Sequence, residues 1–255
     1  MVLDFNIELA KSYKSQSQIA RILTENWVLN NSYCPNCGND ELSSHDTNNP
    51  AADFYCSSCE ADYELKSSKN HLNNRVVDGA YETMIEKIVS SKNPHFFFLN
   101  YTLDYRVSNF FCIPKHFFIP EIIERRNPLA STARRSGWIG CNILVRNLPS
   151  SGRIFLVKNQ EVINRRDVIK QWKMTSFLRD ESVKNRGWLV ELISIIDRIP
   201  NETFTLADMY SYENLIKEKF PKNNFVKEKI RQQLQVLRDK NFIQFKGNGI
   251  YQKNR

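Results

Sequence analysis

No stretch of these 255 residues approaches the roughly 20 consecutive apolar positions that a membrane-spanning helix needs. The opening Met1-Val2-Leu3-Asp4-Phe5 carries acid where a secretory leader carries base, and no apolar core follows, so a cytoplasmic protein is expected. Internal repeats and low-complexity tracts are also missing, which excludes solenoid and array architectures. Acid is scarce at one end. From Phe220 to Arg255 only two acidic residues accompany nine basic ones, whereas residues 1–219 hold 26 acidic and 27 basic. The net charge of +8 therefore belongs almost wholly to the C-terminal segment. That distribution suits a surface that contacts a phosphate backbone; a solvated helix face is the bland alternative.

What is present points to an ordinary globular core, with 41% hydrophobic and 12% aromatic residues, in one large domain or two smaller ones. Apolar residues at helical spacing mark a helix from about Ser17 to Trp27. Alternation marks short strands at Ala52–Tyr55 and Tyr63–Lys66, and His45 to Pro50 between the cysteine pairs reads as loop. Residues 78–91 read as a helix. His95–Thr102, Asn109–Ile113 and Arg153–Val157 read as buried strands, giving an α/β (α+β) first domain over residues 1–182. Arg179 to Arg186 is polar, lacks periodicity and reads as a linker.

Beyond it, helices are expected around Trp188–Ile196, after a capping box at Thr205-Leu206-Ala207-Asp208, and from about Asn224. Phe242-Ile243-Gln244-Phe245 and Ile250-Tyr251 then flank the turn Lys246-Gly247-Asn248-Gly249. Three helices and a basic hairpin are the plan of a winged helix, over residues 183–255.

Four of the six cysteines cluster. Cys34-Pro35-Asn36-Cys37 and Cys56-Ser57-Ser58-Cys59, 18 residues apart, have the spacing of two knuckles that close around one tetrahedral Zn²⁺. Disulfides are the weaker alternative in a reducing compartment. Four ligands leave no open position, so such a zinc is structural.

Around the second knuckle lie Asp53 and, eleven residues on, Glu64-Leu65-Lys66. In a strand, residues i and i+2 share a face, so Glu64 and Lys66 project together while Leu65 enters the core. An antiparallel strand carrying Asp53 would bring all three onto one patch. Two carboxylates suit one or two Mg²⁺ ions, and a lysine beside them can position a water or steady phosphate charge. Alone the pattern is weak, since such residues usually form a solvated edge. Its position astride the cysteine knuckle strengthens it.

Two further groups invite a DNA reading. Arg134, Arg135 and Trp138 form a basic and aromatic set flanked by Gly137 and Gly140, although a tryptophan taken alone is more often a core residue. In the third C-terminal helix, Lys227, Lys229, Arg231, Gln232, Gln233, Gln235 and Arg238 lie off the Val226–Ile230–Leu234–Leu237 stripe, where glutamine and arginine can meet base edges. Lys227 and, in the hairpin, Lys246 are better suited to phosphates.

The runs Cys34-Pro35-Asn36-Cys37, Ala52-Asp53-Phe54-Tyr55-Cys56, Glu64-Leu65-Lys66, Asp78-Gly79-Ala80-Tyr81, Pro94–Leu99, Thr132–Asn142, Gly152–Val157 and Lys227–Gln235 closely resemble the DpnI-type methyl-directed restriction endonucleases. The resemblance covers nearly the whole chain. It implies a PD-(D/E)XK nuclease domain with a structural zinc, then a winged helix, cutting double-stranded DNA with Mg²⁺ at GATC only when the adenine carries an N6-methyl group. It places Asp53, Glu64 and Lys66 at the catalytic positions, with Asp53 and Glu64 as the magnesium ligands. Cys34, Cys37, Cys56 and Cys59 match the zinc ligands, and Trp138 matches an aromatic that senses the methylated base. Ala52 stands where the motif usually has proline. A monomer is expected. The rival from another class is a non-enzymatic zinc-containing winged-helix regulator, in which the acids and lysine are merely structural.

Overall fold

The computed structural model describes residues 1–45, 52–70 and 74–254; Asp46 to Pro50 of the expected loop lie outside them. Helix α1 (Gln16–Asn31) buries Leu23, Trp27 and Val28 along one face. Strands β1 (Ser43–Ser44), β2 (Phe54–Tyr55), β3 (Asp62–Lys69) and β4 (Val76–Ala80) follow, then helix α2 (Tyr81–Val89). Next come β5 (His95–Tyr101), β6 (Val107–Ile113), β7 (Ile123–Arg125), β8 (Gly140–Ile143), β9 (Ile154–Lys158), β10 (Glu161–Val162) and α3 (Arg165–Thr175). The C-terminal part holds α4 (Val183–Arg198), β11 (Thr203–Thr205), α5 (Leu206–Tyr210), α6 (Glu213–Lys219), α7 (Val226–Asp239), β12 (Ile243–Gly247) and β13 (Ile250–Lys253).

The main sheet has the order β1-β2-β3-β5-β6-β9-β10, with β3 and β5 parallel and every other pair antiparallel. Its central strand explains its unbroken apolar run, since all seven residues of β5 are buried. Alternation sends Phe96 and Phe98 into the core that faces α2 and α4, and Phe97 and Leu99 into the core under α1 and α3. Removing one such ring costs about 3–5 kcal/mol. A smaller antiparallel sheet, β4-β8-β7, stands beside the main one, and a third, β11-β13-β12, carries the C-terminal hairpin.

Two expectations change. Residues 78–91 are not all helix: Asp78, Gly79 and Ala80 belong to β4, held by pairing with β8, and the helix starts at Tyr81. That pairing partner is over sixty residues away, so no local pattern reveals it. Arg179 to Arg186 is not a loose linker either. A 3₁₀ turn runs to Asp180, and Ser182 caps α4 by accepting from the Asn185 N–H. Polar capping residues and the buried Arg186 imitate linker composition. The capping box is present, with Thr205 and Asp208 bonding reciprocally at the start of α5. One further helix, α6, separates it from α7. Among the described residues no helix is long and apolar enough to cross a membrane.

Two histidines sit inside this core. His116 Nε2 meets Thr175 Oγ1 at 3.3 Å, and His95 Nδ1 accepts the Lys115 N–H at 2.9 Å. Burial holds both imidazoles well below their ordinary 6.5, with nearby cations adding to the effect. The folded protein therefore takes up fewer protons than the unfolded chain below that value. Their contribution to stability is fully present above about pH 6.5 and declines as the pH falls, by up to about 1.4 kcal/mol per pH unit for each imidazole. The thermal midpoint is expected to drop between pH 7 and pH 5, and His116→Phe to flatten that drop. An unchanged slope in the variant would remove His116 from the explanation.

Candidate active site

The second cysteine pair is the turn between β2 and β3, so cysteine cluster and acidic residues share one scaffold. Each knuckle uses the same local device. Gly38 N–H bonds to Cys34 O at 2.8 Å, and Glu60 N–H to Cys56 O at 2.9 Å. Both residues have positive φ, 82° for Gly38 and 56° for Glu60. Glycine is favoured at the first by its positive φ, and a Cβ there would also push on Ile169 Cδ1, 2.8 Å away.

The four sulfurs lie within 4.8 Å of one another, with Cys34 to Cys59 and Cys37 to Cys56 each at 3.6 Å. Zinc with bonds of about 2.3 Å needs a tetrahedral edge of about 3.8 Å. The cluster can therefore hold a metal ion such as zinc. Donors already face the sulfurs: Asn36 Nδ2 lies 3.2 Å from Cys59, the Asn39 N–H 3.4 Å from Cys37, and Tyr63 Oη 3.1 Å from Cys34. Burial pushes the Cys34 thiol up, against the pull of Tyr63. At Cys56 burial acts the same way but is outweighed by backbone N–H groups of Cys59 and Ser58, which favour the thiolate. The module is clamped to the domain by Arg165, which pairs with Asp40 at 2.5 Å and bonds Gly38 O, and by Arg179, bonded to Asn36 at 2.6 Å.

From that turn the register runs Tyr55 opposite Asp62 and Phe54 opposite Tyr63. Continued by one residue, it sets Asp53 across from Glu64. Asp53 is fastened at both ends: its N–H bonds to Tyr63 O at 2.9 Å, and its Oδ2 accepts the Leu65 N–H at 2.7 Å. Glu64 and Lys66 share the sheet face of Phe96 and Phe98, with the Lys66 ammonium 5.9 Å from the Phe96 ring centre. Leu65 packs on the opposite face. The structure thus brings the three residues together as the alternation required.

The site also contains a residue that spacing did not supply. Asp78, on β4 and with its side chain only 7% exposed, places Oδ1 2.6 Å from Lys66 Nζ, while Glu64 Oε1 lies 2.5 Å from the same ammonium. Burial alone would lower Lys66, but these two carboxylates outweigh it and keep the group charged. Burial pushes Glu64 above the ordinary carboxyl range; Lys66 opposes this and Asp78 reinforces it. Glu64 and Asp78 border a cavity of about 230 Å³ that reaches Thr83 and Lys87 on α2. On the other side α1 approaches. Arg21, hydrogen-bonded to Glu25 at 2.8 Å, is held above its usual value first by that bond and in part by Asp53.

Among the described residues, Asp53 Oδ1 and Glu64 Oε2 remain without hydrogen bonds. These hard carboxyl oxygens, on neighbouring positions of paired strands, fit a divalent cation such as Mg²⁺.

The expected DNA-facing residues divide. Arg134 and Arg135 are exposed on the loop from β7 to β8. Trp138 is half-buried, its ring lying over Gly140, where a Cβ would come within 2.8 Å of it. Gly140 pairs with Ala80 and Cys141 with Asp78, so one small sheet ties this loop to the acidic site. On α7, Lys227, Arg231 and Gln232 are exposed, and Lys246 is exposed on the hairpin. Lys229 is half-buried, its ammonium 2.8 Å from Gln232 Oε1. Gln233 is corrected: it is 1% exposed and donates to Asn185 Oδ1 at 2.9 Å, so it cannot reach a base edge in this arrangement. Helical spacing contained the signal, since position 233 falls between Ile230 and Leu237 on the buried stripe.

Comparison with known families adds two findings. The family model DpnI, described as the Dam-replacing family, matches residues 1–181. The model DpnI_C, described as the Dam-replacing HTH domain, matches residues 184–253.

Proposed function

The chain belongs to the DpnI (Dam-replacing) family of restriction enzymes, and from that premise we propose that it is a Mg²⁺-dependent type II deoxyribonuclease cutting double-stranded DNA at GATC sites whose adenine carries an N6-methyl group. We further propose that it works as a cytoplasmic monomer, with a PD-(D/E)XK nuclease domain over residues 1–182 and a winged-helix domain over 183–255. The observation that carries the chemistry is the convergence of Asp53, Glu64 and Lys66 on one face of the β2–β3 hairpin. A regulator has no use for converging carboxylates that repel DNA phosphates.

Asp53 and Glu64 would hold a divalent cation, whose charge would lower the pKa of a water and offset charge growing on the scissile phosphate. The chain's own residues set the geometry. The Leu65 N–H fixes the rotation of the Asp53 carboxylate, and the cysteine knuckle fixes the turn that spaces Asp53 from Glu64. Lys66 presents a charged ammonium on the same face, able to donate to a phosphate oxygen as charge develops. Asp78 anchors that ammonium from the neighbouring sheet. In this reading a zinc at the four cysteines is structural, and Trp138, Arg134 and Arg135 meet the DNA near the cut. Lys227, Lys229, Arg231, Gln232 and Lys246 approach it from α7 and the hairpin.

The test is incubation with Mg²⁺ and plasmid from adenine-methylating and non-methylating hosts. Methylated plasmid is expected to be cut at GATC and unmethylated plasmid left intact. Uncut methylated plasmid at ample enzyme would sink the nuclease reading, and equal cutting of both would remove its methyl specificity.

A further inference from the structure

The C-terminal end of α7 meets α3 across a groove that neither the acidic site nor the start of α7 uses. Two cavities of about 530 and 520 Å³ adjoin there, sharing Lys170 and Met174. The cations Arg153, Lys158, Arg166, Lys170, Lys173 and Lys240 line them. Among the described residues none of the six has an ion-pair partner within 4.0 Å. Only two acids border the groove, and one of them, Asp197, accepts from the Ser151 N–H at 2.8 Å and the Ser151 hydroxyl at 2.7 Å.

Arg166, Lys170 and Lys173 fall at i, i+4 and i+7, one turn or about 5.4 Å apart along one face of α3. They form a row rather than a point charge, which suits a linear polyanion better than a small anion. The row is also remote from the chemistry. β9, which floors the groove, is three strand spacings from β3, about 14 Å. Lys240 closes α7 about 20 Å from Val226, where the helix begins. Cations from both the nuclease part and the helix-turn-helix part converge on the groove, so a ligand lying in it spans the two.

We propose that this groove holds the sugar-phosphate backbone of the target duplex beyond the recognition site. The proposal rests on the reading that duplex DNA is the substrate. Backbone contacts of this kind are independent of sequence and release counterions, which makes them measurable.

The experiment compares the full-length zinc-loaded protein with Lys170→Ala/Lys173→Ala, without added Mg²⁺, on 12-bp and 40-bp duplexes carrying one methylated or unmethylated GATC. For the parent, log K should fall more steeply with log[salt] on the longer duplex. The double variant should lose about 2 from that slope on 40 bp, near 0.9 for each contact, and bind it at least about tenfold more weakly at low salt. Its binding to 12 bp should not change. Lys170→Arg/Lys173→Arg should keep the parental slope. Both lysines are exposed, and an unchanged thermal midpoint would confirm that folding is intact. Equal slopes for parent and double variant on 40 bp, or equal losses on both lengths, would overturn the proposal. Equal binding of methylated and unmethylated duplexes by the parent is a separate outcome: it would remove methyl specificity from the proposed function, keep duplex DNA as the ligand, and leave the length dependence to decide the groove.

Discussion

Asp53→Ala is expected to reduce cleavage of methylated DNA by at least about a thousandfold while leaving its binding within about threefold. The two effects separate because the carboxylate supplies charge needed as the phosphodiester bond breaks and repels the phosphates while the complex forms. Asp53→Asn sharpens the test. An amide oxygen can still accept from the Leu65 N–H, now bonded at 2.7 Å, so local geometry survives and the charge does not. If the asparagine variant cuts at near the parental rate, Asp53 is a strand fastener and the catalytic assignment fails. Lys66→Met should also end cleavage but with a larger folding cost than Asp53→Ala, which gives up only the bond to the Leu65 N–H. Without the ammonium, Glu64 and the largely buried Asp78 face each other with their charges uncompensated. Thermal unfolding of the two variants side by side distinguishes these cases.

The second large effect concerns the cysteines. The protein as purified is expected to contain one zinc per chain by elemental analysis, and Cys56→Ser to remove most of it. Loss of a four-thiolate zinc takes away several kcal/mol of folding free energy, since metal binding and local folding are one equilibrium. The thermal midpoint should fall by more than about 10 °C. Cleavage should fall with it even where the chain stays folded, because Cys56 and Cys59 sit in the turn that joins the Asp53 strand to the Glu64 strand. Full activity in a metal-free preparation would refute the structural role. Cys112 and Cys141 provide the control. Neither belongs to the four-sulfur group: Cys141 is buried in the other core, and Cys112, although in the same core as Cys34 and Cys56, is not among the clustered sulfurs, so conservative replacement of Cys112 should leave the zinc content unchanged.

Much of this site was legible in the chain because its determinants are local. Two knuckles of fixed spacing, an i, i+2 pair on a strand and the Thr205–Asp208 box need only near neighbours to act, and the structure contains each. The unbroken apolar run of β5 announced burial on both faces. What escaped depends on distant partners. Asp78 reaches Lys66 because β4 pairs with β8, and nothing near Asp78 encodes that. Arg21 comes close to Asp53 through the packing of α1. At Gln233 helical position outranks residue type: its place on the buried stripe overrides its polarity, and Asn185 accepts one amide proton there. The supposed linker failed for a related reason, since a capped helix start is built from the same polar residues as a loose connection.

Helix α4 has one more consequence. The two family matches meet just before it, where a flexible join between separable modules would be looked for. Yet every residue from Arg186 to Ile196 is buried, and its apolar side chains lie in one continuous core with Phe96, Phe111 and Phe117 on one side and Ile230, Leu234 and Leu237 on the other. A tether would let the blade swing through whatever radius its slack allowed. A helix with almost no free surface acts as a shared axle instead. Under the proposed function, the distance from α7 to the acidic site, and with it the distance from recognition to cut, is then a fixed dimension of the molecule, set by side-chain packing.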